Sequence, residues 1–186
     1  MMYLLGATIA LFCLAAPAQQ LRYAHAARLY IEDNTDRDAI LSGPVAIPAN
    51  IEILSGQQEI VEDMLRRSPT FRAQCSRLGE TSQLRIVIEK SLLVPTDGAM
   101  TNITRKADGE IDADVHLGTL GDPTMLIAHE FEHILEQLDG VDLPAMAARA
   151  GTGVSVSSRS GHFETQRAIE AGQRVAREVS RVFARR

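Results

Sequence analysis

The segment "HEFEH" at 129–133 sets two histidines four residues apart within "DPTMLIAHEFEHILEQLDG", a stretch whose other signals are all helical. Asp122 offers a capping side chain, Pro123 a first helical residue and Gly140 a stop. Positions four apart on a helix lie within about 40° of one another around its axis, so the two imidazoles point the same way. Ile127, Phe131, Ile134, Leu135 and Leu138 form a separate stripe, about 100° wide, that should pack on a core. The histidines lie nearly opposite that stripe. They face either solvent or a cleft closed by another element.

Two neutral imidazole nitrogens suit zinc, and with one further protein ligand they leave a fourth position for water, as in a catalytic rather than a closed structural site. Glu130 is offset from His129 by about 100°, so it can lie beside the ion as a base without binding it.

The third ligand is expected from the end of the chain, where "HFETQRAIEAGQRVAREVSRVFARR" reads as a long closing helix that tolerates Gly172. Its apolar stripe of Ala168, Ala171, Val175, Val179 and Val182 passes, when continued backwards, through Glu164. An inward carboxylate without a partner stays protonated or costs on the order of several kcal/mol, and a metal resolves this. Glu164 is thus the expected ligand, with His162, just before the helix, as the alternative. Glu170 falls on the opposite face among Arg167, Arg174, Arg177 and Arg181, as a solvated partner in surface pairs.

Ahead of the histidine helix, "QQEIVEDMLRR" and "SPTFRAQCSRLG" read as two helices, the second opened by Ser68 and Pro69. "LRIVIE" is a strand, and "TNITRK" with "EIDADVHLG" forms a β-hairpin turning at Ala107-Asp108-Gly109. In its second strand Ile111, Ala113, Val115 and Leu117 alternate with Asp112, Asp114 and His116. Residues 151–161, "GTGVSVSSRSG", read as a mobile loop. This order predicts an α+β domain with a mixed or antiparallel sheet rather than alternating βαβ units.

"AHEFEHILEQ" resembles the active-site helix of zincin metallopeptidases, and a glutamate ligand on a later helix resembles the gluzincin branch. The resemblance covers about ten residues. It implies a zinc peptidase of peptide or protein substrates, with His129, His133 and Glu164 on the metal and Glu130 as catalytic base. It also implies an edge strand over the cleft, for which "EIDADVHLG" stands in the corresponding order. The Gly and third His of the metzincin continuation are absent, as is the inverted H-x-x-E-H pattern. Many gluzincins carry an Asp four residues after the ligand Glu, and here that position is Ala168. Support for the ligands must then come from elsewhere, with Asp114, Glu132 and Glu136 as candidates. His116 and His162 are the candidates for a transition-state donor, each more simply a surface histidine, as is His25.

Composition closes off other classes. A net charge of −5 and few aromatic rings argue against nucleic acid as a partner. Residues 1–18 carry no side-chain charge and end in Ala16-Pro17-Ala18, the small-x-small form of a signal-peptidase site. They predict an exported chain, secreted or periplasmic, with residues 19–186 as a single domain. An uncleaved N-terminal anchor is the alternative. Removal of the signal takes Cys13 with it and leaves Cys75 without a disulfide partner, a small buried apolar residue. A rival from another class is a non-catalytic metal-binding or scaffold module of the cell envelope. A di-iron carboxylate site would need a second Glu-x-x-His, which the chain lacks.

Overall fold

The computed structural model describes residues 44–54, 56–156 and 162–181. The signal segment 1–18, Cys13 and His25 lie outside the described residues.

The described chain runs β1 (Ile51–Ile53), α1 (Gln58–Arg67), α2 (Pro69–Gly79), β2 (Leu84–Lys90), β3 (Ala99–Arg105), β4 (Ile111–Leu117), α3 (Pro123–Leu138), α4 (Leu143–Ala147), β5 (Val154–Val156), β6 (Phe163–Thr165) and α5 (Gln166–Arg181). This is the α+β domain with a mixed sheet and a long last helix that the element order predicts. The larger sheet has the order β1-β2-β4-β3, parallel from β1 through β4, with β3 antiparallel on the edge. No described helix is long and apolar enough to cross a membrane.

The expected hairpin forms with Ile103 opposite Ala113, and its turn is tight because Gly109 takes a φ of 91°. One expectation needs correction. "EIDADVHLG" is not the edge strand: β4 is paired on both sides, and β3 takes the edge. The physical reason is burial. Ile111, Ala113, Val115 and Leu117 are all buried, a row that suits the middle of a sheet, whereas the residues of β3 are half-buried or exposed.

The helices bury their apolar stripes against one face of this sheet. Val61, Met64 and Leu65 of α1 and Phe71, Cys75 and Leu78 of α2 meet Ile127, Phe131, Ile134 and Leu135 of α3, while Leu138 packs partly buried at the rim. Phe71 and Phe131 stack with ring centroids 5.4 Å apart. Ser68 opens α2 as predicted, accepting from Phe71 N at 2.9 Å. Glu178 of α5 adds to that cap, accepting from Ser68 Oγ at 2.5 Å and Thr70 Oγ1 at 2.7 Å, which ties the last helix to the first pair.

Two readings of the C-terminal region are also corrected. Residues 154–156 are not loop: β5 pairs with β6, placing Ser155 opposite Glu164. Secondly, the closing helix begins at Gln166, because Thr165 Oγ1 accepts from Ala168 N at 3.0 Å and caps it. Glu164 therefore stands on a strand, one residue before the cap. Residues 157–161 and Val182 lie outside the described residues.

Candidate metal centre

α3 begins where its cap dictates, with Asp122 Oδ1 accepting from Thr124 N at 3.0 Å and Pro123 next in the chain. Two turns on, the histidines emerge on the side away from the core stripe. That side is covered by α5, which crosses α3 closely at Gly172. A Cβ built at Gly172 would lie 2.7 Å from Met125 O and 3.2 Å from His129 Cβ. Gly172 is more than a tolerated interruption: no larger residue lets α5 approach this near, and the approach brings the β6–α5 junction over the histidines.

The three expected ligands come together. His129 Nε2 and His133 Nε2 are 3.1 Å apart, and Glu164 Oε1 lies 3.2 Å from the first and 3.7 Å from the second. Zinc bound tetrahedrally at its usual ~2.0–2.1 Å would set such atoms about 3.3–3.4 Å from one another, so donor types and spacing both fit it. Both imidazoles are half-buried, and Glu164 is 41% exposed. His162, the alternative ligand, is exposed and not part of this cluster.

The protein's own charges act strongly on these groups. Burial works against the imidazolium of His133, but hydrogen bonds to Glu136 and Glu164 and the charge of Glu130 outweigh it, pushing its pKa up to about 10. Burial works against the Glu164 carboxylate too, yet its bonds to His129 and His133 bring its pKa down to about 2. A metal entering this site therefore competes with a tightly held proton.

The candidate ligand His133 is supported by Glu136, one of the residues named for this from sequence. His133 Nδ1 donates to Glu136 Oε2 at 2.9 Å, which orients the ring and leaves Nε2 directed at the cluster. Glu136 is fully buried, and its Oε1 accepts from Thr165 Oγ1 at 2.7 Å. Glu132 serves the scaffold instead: it accepts from Gln74 Nε2 at 2.7 Å and from Arg167 Nε. Arg167 also meets Asp139 at 3.0 Å, so it is not the solvated surface arginine read from periodicity. Asp114 and His116 point to the sheet face opposite the helices, where His116 Nδ1 lies 3.0 Å from Glu89 Oε1.

Glu130 is 4% exposed and accepts from Thr101 Oγ1 of β3 at 2.6 Å. With His129 and Glu164 it lines a cleft of about 290 Å³, whose other walls are Gly98, Ala99, Met125, Leu126, Ile169 and Gln173. Sequence reasoning missed Thr101, Thr165 and the role of Gly172. Their contacts join segments far apart in the chain, and only the cap-forming Thr165 carries a local signal. The comparisons with known proteins found no family description, curated protein or solved structure that matches this chain.

Proposed function

We propose that this chain is an exported zinc metallopeptidase, hydrolysing peptide bonds of a peptide or protein substrate. The observation that carries this reading is the meeting of His129, His133 and Glu164 at tetrahedral-edge distances beside the buried carboxylate of Glu130, in a cleft bounded by an edge strand.

His129, His133 and Glu164 are the residues that would hold the ion. Zinc in that place would supply Lewis acidity, lowering the pKa of a water toward neutrality and polarising a carbonyl. Glu130 moves the proton: a carboxylate oxygen takes it from the attacking water and delivers it to the departing amine nitrogen. Ala99, Met125, Leu126 and Ile169 form the apolar wall against which substrate excludes water. With β4 in the middle of the sheet, β3 is the strand along which an extended peptide would lie.

A non-catalytic metal-binding module of the cell envelope is the second reading. It is favoured by the lining of the cleft, where Gln173 is the only polar side chain beyond the ligands and Glu130 among the described residues. Purified wild type and Glu130→Gln, both zinc-loaded, assayed on a peptide library separate the two. The peptidase reading expects cleavage by wild type that Glu130→Gln loses by at least about 100-fold with zinc retained. Zinc-loaded wild type that cleaves nothing supports the second reading.

A further inference from the structure

The face that the sheet turns toward the helices is apolar along its interior rows. Leu84, Ile86 and Ile88 of β2 and Ile111, Ala113, Val115 and Leu117 of β4 are all buried, and β3 continues the surface with Ala99, Thr101 and Ile103. Thr101 sits beside Val115 and is the one polar side chain in those rows. Valine has the same branched shape and suits a strand as well, so neither strand formation nor packing asks for a hydroxyl here. A hydroxyl on an apolar surface loses free energy unless it finds a partner. Thr101 has one, donating to Glu130 Oε2 at 2.6 Å.

That bond engages one oxygen of Glu130 and leaves the other, which accepts no hydrogen bond among the described residues. Glutamate has three rotatable side-chain bonds, and the neighbouring Glu132 and Glu136 are each held by at least two partners. For Glu130 the donor comes from the edge strand, across the cleft from its own helix.

We infer that Thr101 is a positioning residue for Glu130, its hydroxyl holding the carboxylate so that Oε1 faces the metal site. This rests on the metallopeptidase reading and adds to it a device in β3 that sets the base. The hydroxyl fixes where the proton acceptor stands, while the metal is held by other groups.

Binding of acetohydroxamic acid to the zinc-loaded full chain tests this without a known substrate. The probe pairs a metal-chelating oxygen pair with a proton that a carboxylate beside the ion accepts. Thr101→Val should keep one zinc per chain and the fold, with a melting temperature somewhat below wild type because Glu130 loses a donor, and bind the probe about tenfold more weakly. Thr101→Ser should restore binding to within about twofold, since serine supplies the same donor. Equal binding by wild type and Thr101→Val would overturn the inference while leaving the peptidase reading standing. Loss of zinc or of folding in Thr101→Val with recovery in Thr101→Ala, which has no hydroxyl either, would overturn it as well. A zinc-loaded wild type that does not bind the probe would overturn both readings.

Discussion

Thr165 Oγ1 donates to Glu136 Oε1 at 2.7 Å, joining the cap of the last helix to the fully buried carboxylate that orients His133. The bond links the two halves of the candidate metal centre. His129 and His133 come from α3, Glu164 comes from β6, and Glu136 and Thr165 stand next to each half. A disturbance at either end should therefore be felt by the whole donor set.

Glu136→Gln is expected to weaken zinc binding by about 10–100-fold, because the ring of His133 loses its carboxylate partner. Thr165→Val should act in the same direction and more weakly, removing one bond to Glu136 and the cap on Ala168 N. Competition titration against a metal indicator measures both. Unchanged affinity in Glu136→Gln would show that the ring needs no such support.

Gly172→Ala should destabilise the chain by about 1–3 kcal/mol, since the added methyl group meets backbone at Met125 O rather than a side chain that can turn away. It should also weaken zinc binding, because α5 must move off α3 and carry Glu164 with it. Denaturant unfolding with chelator and zinc titration read the two effects. A variant as stable as wild type would mean that α5 shifts freely.

Arg167→Met leaves Glu132 buried at 5% exposure without its cation. Breaking such a pair costs on the order of 3 kcal/mol. Zinc stoichiometry should nonetheless remain at one per chain, because Gln74 and Asp139, which Glu132 and Arg167 meet, lie outside the donor set. This combination of lost stability and kept metal, read by unfolding and elemental analysis, separates scaffold from site.

The pH dependence follows from His133 at about 10 and Glu164 at about 2, against ordinary values of 6.5 and 4.5. A raised histidine pKa gives stability that is complete below 6.5 and lost as pH rises through about 10. A lowered carboxyl pKa gives stability that is complete above 4.5 and lost as pH falls through about 2. In chelator, this cluster therefore stabilises most between 4.5 and 6.5. Zinc requires the neutral imidazole, so its stabilisation should grow as pH rises from about 6 to about 9. Melting temperatures with zinc and with chelator across that range should diverge; a constant difference would contradict the assignment of these protons.

Much of this architecture is legible in the residues because local chemistry specifies it. Ser68-Pro69 and Asp122-Pro123 mark helix starts, Gly109 and Gly140 mark turns and stops, and the stripes of α3 and α5 announce their buried faces. Legibility fails where a residue's place depends on another segment. Helical periodicity points Glu164 inward, yet Thr165 caps the helix after it and β5 pairs beside it, so this carboxylate reaches the histidines from a strand. The resemblance assigns the edge to β4 by its place before α3, but order along the chain, like the alternation of β4, says nothing of how many neighbours a strand has. Arg167 lay among surface arginines by period, and only the crossing of α5 over α3 reveals Glu132 and Asp139 beneath it.

Zinc content of the purified chain, with Glu164→Ala and His133→Ala measured alongside, tests the central claim most directly. The two-element site predicts about one zinc per wild-type chain and loss of it in both variants, each of which removes a donor. Wild type without zinc after metal loading, or full zinc in both variants, would contradict it.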